Sequence, residues 1–339
     1  MPFCAYHMTP KGELCRDLTE AQVRAAFESK QGLLWVDIGD TGPDDGVFLE
    51  QNFRFHPLAI EACLETRVYP AKVDDFGEYF FLILHAINFA VDSDLVEVTE
   101  LIRPALDIVL EPGSVAELRV PKTERTKTVS GYFDDFDKLA DAAAEWSGQA
   151  PGVYITLNPV LPDLLARTSN RAKGWAENTT TDSQIVRRRW LPLDFDAVRP
   201  SGISSTDAQH EAALERAREC QDWLVGLGFS PDSLVLADSG NGAHLLVRLD
   251  LPNDDESTAL VNRCLKAADL YLSDDTVKVD CGVGNAARIW KVYGTLAAKG
   301  DNVPDRPHRL AALLEFPKRQ KVAPHELLER LATRAPRDV

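Results

Sequence analysis

The spacing of hydrophobic and polar residues predicts alternating helices and strands in the first third of the chain. A helix begins after a Thr19 cap with an acidic first turn and runs to Phe27. The apolar run over residues 33–38 predicts a buried strand that ends at a turn rich in Gly and Pro. The other predicted elements are two helices and a hairpin-like strand, over residues 43–52, 55–64 and 72–85. This pattern is typical of an α/β module.

The alternation restarts after Pro104, which predicts a second domain with its own core. Its predicted strands cover residues 115–120, 128–133, 153–157, 190–196 and 277–280, with a strand pair over 233–249. Its predicted helices cover residues 134–146, 204–228, 255–271 and 324–332, with a short helix that ends at 167. We expect an α+β fold with a first domain over residues 1–101, a second over 102–320 and a short helical tail over 321–339.

The chain has 339 residues, 45% of them hydrophobic, and a formal net charge of −16. This content is ample for two domains with hydrophobic cores and excludes a disordered chain. The negative charge argues against a protein that coats nucleic acid or an anionic membrane, so any nucleic-acid contact must be local. Basic residues gather late in the chain, at 187–189, 288–291, 299, 306–309 and 318–321. Short charge runs of this kind are also typical of solvated faces.

Six cysteines are spread over the chain without a Cys-x-x-Cys pair or a His at zinc-ligand spacing. A structural zinc module or a disulfide framework is therefore not expected. The chain opens without a signal-peptide pattern, and no apolar run is long enough to span a bilayer. We therefore expect a soluble, cytoplasmic protein without membrane partners.

Two carboxylates stand one residue apart at the end of an apolar strand. Alternate side chains of a strand share a face, so Asp194 and Asp196 are expected to project together while Phe195 packs behind them. Two adjacent carboxylates repel each other unless a cation lies between them, and hard divalent cations such as Mg²⁺ or Mn²⁺ prefer oxygen ligands. A turn or a solvated strand edge is the alternative interpretation.

A Gly-rich turn separates the next two predicted strands, over residues 239–242. Gly240 and Gly242 permit positive φ, which would let backbone N–H groups approach a phosphate. Ser239 adds a hydroxyl, and His244 adds a donor that can carry charge. The alternative is an ordinary hairpin, because Asn-Gly is a strong hairpin signal.

Further along the chain, Asp280 ends a short strand, and two basic residues follow it. Asp280 taken alone is as typical of a loop as of a site. Arg288 and Lys291 are spaced closely enough to serve one polyphosphate, Arg288 as a fork and Lys291 as a point charge.

In chain order these motifs are Asp-x-Asp, Ser-Gly-Asn-Gly-x-His, a strand-end Asp, and Arg-x-x-Lys followed by Gly-Thr. The ordered set, over about residues 105–317, resembles the catalytic core of the archaeo-eukaryotic primase superfamily, the primase-polymerases. The resemblance implies an α/β unit paired with an RRM-like unit, with the active site in the cleft between them. It also implies a metal-dependent nucleotidyltransferase of the DNA primase or DNA polymerase type that uses two Mg²⁺ or Mn²⁺ ions.

The resemblance also implies a role for each motif residue. The implied metal ligands are Asp194, Asp196 and Asp280, and with His244 they form the implied catalytic set. The implied nucleotide-binding residues are Ser239, Gly240, Asn241, Gly242, His244, Arg288 and Lys291. The implied partners are nucleoside triphosphates, a single-stranded DNA template and a separate helicase or replication protein. The template is expected on the basic carboxy-terminal surface, where Trp290 or Tyr293 would stack on bases if they are not packed in the core.

The first hundred residues carry a second resemblance. The blocks that carry it, in chain order, are Trp35-Val36-Asp37 and the segments over residues 55–61, 72–76 and 79–85. Over about residues 14–100 their order resembles the cytosolic amino-terminal domain of CorA-type magnesium transporters. The membrane helices and Gly-Met-Asn signature of that family are absent from this sequence, so ion conduction is not implied. His56, Asp74 and His85 are more typical of structural positions than of a metal site.

Two other functions stay open at this point. The acidic charge and the lack of a zinc cluster or helicase region favour, as one alternative, a nucleotide or nucleic-acid binding protein without catalytic activity. The first hundred residues favour, as the other, a soluble regulator related to magnesium transport. Primer synthesis and primer extension are equally compatible with the motifs.

Overall fold

The computed structural model describes residues 3–38, 43–64, 72–76, 79–83, 94–121 and 127–336. The chain divides into two compact units, Met1–Ala86 and Ile87–Val339. Both units combine helices with antiparallel sheets, which confirms the predicted α+β class. The domain limits predicted at residues 101 and 320 stay predictions, and the first of them falls inside the helix Asp94–Val109.

The first unit is built on a three-stranded antiparallel sheet with its first strand in the middle. Its strands are Phe3–Met8 (β1), Leu14–Arg16 (β2), Leu33–Ile38 (β3), and the hairpin pair Lys72–Asp75 (β4) and Phe80–Ile83 (β5). Its helices are Glu20–Ser29 (α1), Pro43–Phe53 (α2) and Pro57–Leu64 (α3). Helix α1 begins at the predicted cap, where the Gln22 side chain accepts a hydrogen bond from the Thr19 backbone. Strands β1 and β2 were not predicted.

Strand β3 is covered on one face only, which corrects the prediction of a buried strand. Leu34, Val36 and Ile38 pack against the core of this unit. Leu33 and Trp35, on the other face, are 60% and 64% exposed. Because apolar residues stand on both faces of β3, the sequence did not show which face is packed and which is exposed.

His56 makes local contacts of a structural kind. Its ring stacks on Phe76 with centroids 4.9 Å apart, and its Nδ1 accepts a hydrogen bond from the Leu58 backbone. His85 and the side chain of Asp74 lie outside the described residues.

The second unit holds the other elements. Its strands are Ala116–Val120 (β6), Val129–Phe133 (β7), Tyr154–Thr156 (β8), Arg187–Ala197 (β9), Leu234–Asp238 (β10), Gly242–Pro252 (β11), Val277–Val279 (β12), Ile289–Lys291 (β13), Leu296–Ala297 (β14), Arg309–Leu310 (β15) and Ala312–Glu315 (β16). Its helices are Asp94–Val109 (α4), Phe136–Trp146 (α5), Asp207–Gly226 (α6), Asp255–Leu272 (α7) and His325–Ala332 (α8).

Two antiparallel sheets organise this unit. One has the order β13-β8-β6-β7, with α5 packed on β6 and β7. The other has the order β12-β9-β11-β10-β16, and its chain order is β9-α6-β10-β11-α7-β12. This β-α-β-β-α-β sequence of elements is the ferredoxin-like arrangement.

One hydrophobic core joins these layers. Helices α6 and α7 contact each other, and both pack on β9. Phe195 and Trp190 of β9 are fully buried in this core. Leu328 and Leu331 of α8 belong to the same core, so the predicted tail helix packs on the second unit.

Candidate active site

The two carboxylates of β9 lie on one face of the strand, as the alternation predicts. Phe195 between them is fully buried on the opposite face. The Asp194 side chain is 21% exposed and the Asp196 side chain 46% exposed. The strand therefore presents a half-buried carboxylate and a more open one to the same space.

The register of the sheet brings two further motif residues next to Asp194. On one side His244 of β11 is paired directly with Asp194. On the other side β12 pairs with β9 up to Val279 and Phe195, and the Asp280 backbone N–H then donates to the Asp194 carbonyl at 2.9 Å. Directly paired residues of an antiparallel sheet share a face. Asp280, Asp194 and His244 thus form a row across three adjacent strands.

The two carboxylates of this row and the Asp196 carboxylate on the same face disfavour one another's charge, and neighbouring cations offset this repulsion only in part. Burial, followed by the charges of Asp196 and Asp280, raises the pKa of Asp194 well above its usual value, against the opposing effect of Lys299 and Arg199. Three carboxylates within electrostatic reach of one another form a donor set that favours a hard divalent cation.

Two of the three carboxylates have one oxygen in a hydrogen bond, and the third has a histidine nitrogen nearby. Asp196 Oδ1 accepts from Arg199 Nη1 at 3.1 Å, Asp280 Oδ1 accepts from the Gly282 backbone at 2.7 Å, and Asp194 Oδ1 lies 3.6 Å from His244 Nε2. Within the described residues, the Oδ2 atoms of all three make no hydrogen bond. In the same part of the chain, no three His, Cys, Asp or Glu side chains are grouped closely enough to hold a metal ion as they stand.

His244 is buried and held by two aromatic residues. Its ring packs on Trp290 with centroids 4.1 Å apart, and its Nδ1 lies 3.0 Å from the Tyr293 hydroxyl. Trp290 Nε1, which can only donate, is 2.9 Å from the same hydroxyl. The Tyr293 oxygen therefore accepts from Trp290, and its proton is available to His244 Nδ1. This assigns the proton of the neutral imidazole to Nε2, the nitrogen that faces Asp194.

His244 is neutral near pH 7, although a histidine side chain can carry charge. Burial, followed by the charges of Lys291 and Lys299, lowers the pKa of His244 to about 3. At 3.6 Å its contact with Asp194 is neither an ion pair nor a normal hydrogen bond. His244 is thus a neutral donor pointed toward the carboxylate row.

The Gly-rich turn uses its N–H groups internally. Gly240 N donates to Asp238 Oδ1 at 2.6 Å, and Gly242 N donates to Ser239 Oγ at 3.0 Å. The Asn241 side chain is buried and accepts from the Ser205 backbone at 2.9 Å. The turn therefore has the bonding of a structural hairpin, and its predicted contact with a nucleotide stays a prediction.

Arg288 and Lys291 make separate contacts. Arg288 donates to the carbonyl of Gly282, in the turn that Asp280 caps. Lys291 is buried and donates to the Leu296 carbonyl at 2.8 Å. Burial, followed by the charge of Lys299, lowers the pKa of Lys291 to about 7, so it is only partly charged near neutrality. Whether both serve one polyphosphate stays a prediction.

Three further residues lie at this site that the motifs did not assign to it. Lys299 lies close enough to influence the charges of Asp194, His244 and Lys291. Tyr154 of β8 has its pKa raised by burial and then by Asp194 and Asp196, so the other sheet borders the site. Lys278 is paired with Asp196 and exposed. Lys299 had a signal as one of the late basic residues, and Lys278 had one in its period-2 spacing from Asp280, whereas Tyr154 had none that pointed to the site.

Several arginines of the basic runs form ion pairs within the protein. Arg187 and Arg189 both bind Asp250, and Arg309 binds Asp207. Trp290 and Tyr293 are buried, so they are core residues and not exposed stacking groups. Of the two alternatives for these aromatics, base stacking and core packing, the structure has core packing.

In the described part of the chain, no helix combines the length and hydropathy needed to cross a bilayer. No protein-family model matches the sequence. A putative metal ion transporter YfjQ of Bacillus subtilis (strain 168) is 43% identical over 56 residues, which are 16% of this chain and 17% of that protein. The chain thus aligns with less than a fifth of the length of this relative.

Solved structures give longer but more distant matches. The AEP domain of a primase-polymerase from cyanophage S-2L has a TM-score of 0.36 and 10% identity over 70% of this chain and 97% of its own. Primase RepB' has a TM-score of 0.38 and 10% identity over 70% and 62%. The polymerase domain of Mycobacterium tuberculosis Ligase D, in complex with DNA, has a TM-score of 0.39 and 17% identity over 74% and 96%.

Proposed function

We propose that the second unit is a metal-dependent nucleotidyltransferase that joins nucleoside triphosphates on a nucleic-acid template. The observation that carries this proposal is the row of Asp280, Asp194 and His244 across three paired strands, with Asp196 on the same face. These residues are more than 30 positions apart in sequence, apart from the Asp-x-Asp pair, and the fold brings them to one surface.

Carboxylate oxygens are the ligands that hard divalent cations such as Mg²⁺ or Mn²⁺ prefer, and binding here would require the three carboxylates to move closer together than they stand. Asp194, Asp196 and Asp280 would hold the metal through carboxylate oxygens that have no other partner among the described residues. When bound, two such ions would supply charge for the attacking hydroxyl and the departing pyrophosphate. His244 would donate a hydrogen bond from Nε2 to a phosphate oxygen, and Lys299 would add positive charge beside it.

Incorporation of labelled nucleotides tests this proposal. Purified protein with Mn²⁺ or Mg²⁺, a primed single-stranded template and both nucleotide types should form longer products. Asp194→Asn should reduce the rate by at least about a thousandfold, as expected when a group that stabilises the transition state is lost.

Asp301→Asn is the matched control because it removes the same charge from an exposed loop position. It should retain the wild-type rate. Equal activity of Asp194→Asn and wild type would reject the site, and nucleotide binding without incorporation would favour the inactive binding protein.

A further inference from the structure

Trp175 is the most exposed large hydrophobic side chain in the described part of the chain. It is 74% exposed, and its backbone φ is +62°. A bulky residue in the left-handed region is strained, by roughly 1–2 kcal/mol relative to the right-handed region. The Trp175 ring is therefore exposed to solvent, on a backbone conformation that glycine would adopt more easily.

The loop that carries Trp175 is fixed along the edge strand β7. The Tyr132 N–H donates to the Thr168 carbonyl, Lys173 and Ser130 exchange two backbone hydrogen bonds, and the Ala176 N–H donates to the Thr128 carbonyl. Gly131 permits this close approach, because a Cβ there would lie 2.2 Å from the Arg171 carbonyl oxygen. The ring of Trp175 is thus presented by an ordered backbone.

Basic side chains occur beside this ring and on its loop, in a protein of net charge −16. Lys127 Nζ lies 5.3 Å from the centroid of the Trp175 ring. Arg171 and Lys173 are exposed on the loop that carries Trp175, and Glu177 follows them as an exposed acidic residue. The Trp175 surface, formed by Lys127, Arg171, Lys173 and Trp175, therefore carries three cationic side chains around one exposed indole.

We propose that the Trp175 surface binds single-stranded nucleic acid. An exposed indole offers a stacking platform for one base, and the cations of the Trp175 surface would pair with phosphates of the same strand. A duplex fits less well because its base faces are already stacked. Identification of this strand as a template rests on the proposed function, whereas the binding itself does not.

Fluorescence anisotropy with a labelled oligo(dT) of 20 nucleotides, in EDTA and without nucleotide, tests this inference on the full-length protein. Trp175→Ala should raise the Kd at least about fivefold, since stacking contributes about 1–3 kcal/mol per base, and Trp175→Phe should recover much of the affinity. Lys173→Gln should lower the slope of log K against log salt by about 0.7 for each phosphate that the side chain neutralises in wild type.

Two variants separate binding from folding. Trp175→Gly should weaken binding as much as Trp175→Ala while its Tm equals or exceeds that of wild type, because glycine relieves the left-handed backbone. Trp35→Ala is the matched control, as Trp35 is similarly exposed in the first unit, and it should bind like wild type.

Wild-type affinity in Trp175→Ala, or no binding of the oligonucleotide by wild type, would overturn the inference. Asp194→Asn should bind the strand like wild type without extending it. If wild type binds the strand through Trp175 but incorporates no nucleotide, the binding inference is kept and the proposed reaction is rejected.

Discussion

At the scale of single residues, the protonation of His244 is set by its neighbours and not by its own chemistry. Trp290 Nε1 donates to the Tyr293 oxygen, which leaves the Tyr293 proton to be donated to His244 Nδ1. Burial raises the pKa of Tyr293 above its usual value, so the hydroxyl keeps this proton. The outcome is one defined tautomer, with Nε2–H toward Asp194.

Tyr293→Phe tests this assignment. The variant removes the donor to Nδ1 and leaves Trp290 Nε1 without its acceptor, which should lower stability by about 1–3 kcal/mol. Nitrogen-15 NMR of histidine-labelled protein should show His244 in the Nε2–H form in wild type and in a mixture of tautomers in the variant. Tyr271→Phe, at an exposed tyrosine of α7, should change neither measurement. An unchanged His244 spectrum in Tyr293→Phe would contradict the assignment.

At the scale of elements, the β10–β11 hairpin supports the site by close packing of its turn. Gly240 has φ of +85°, and a Cβ there would lie 2.5 Å from the Ala297 Cβ and 2.8 Å from the Arg309 carbonyl oxygen. Gly242 lies against β9 in the same way, since its Cβ would be 2.3 Å from the Phe195 carbonyl oxygen. The glycines are therefore needed for packing against neighbouring strands, whatever their role toward a nucleotide.

Gly240→Ala and Gly113→Ala measure this packing. Both glycines have positive φ, but nothing lies within 4 Å of a Cβ at Gly113. Gly113→Ala should cost only the left-handed strain, about 1–2 kcal/mol, and Gly240→Ala should cost about 1–3 kcal/mol more because of the clash. Urea unfolding gives both values. Equal destabilisation of the two variants would show that the turn tolerates the extra methyl group.

At the scale of the whole molecule, the net charge of −16 attracts divalent ions without any specific site. A specific site is therefore detected by comparing two variants of equal net charge, one that removes a proposed ligand and one that does not. We expect Mn²⁺ to raise the Tm of wild type and EDTA to reverse the shift. At a Mn²⁺ concentration 100 times the Kd, binding to the folded state adds about 2.7 kcal/mol to the free energy of unfolding. The increase should be absent in Asp194→Asn and kept in Asp301→Asn, at fixed ionic strength. Equal shifts in both variants would indicate a diffuse ion atmosphere.

Most helices and strands of the second unit were predictable because their signals are local. The Asp135 side chain caps α5 through the backbones of Asp137 and Lys138, and alternation along β9 placed its two carboxylates on one face. Helix α4 was missed because Pro104 lies within it, at a position where proline usually ends a helix. Strands β15 and β16 were missed because each is too short to show a period.

The sequence by itself determined the α+β class, the shared face of Asp194 and Asp196, and the order of the motif residues, since these depend on neighbouring positions in the chain. Only the tertiary structure decided that Asp280 and His244 flank Asp194, because strand register joins residues far apart in sequence. It also decided that Trp290 and Tyr293 are buried around a neutral His244 and that Trp175 is exposed. Burial and electrostatic environment arise from the packing of distant segments, which no local pattern encodes.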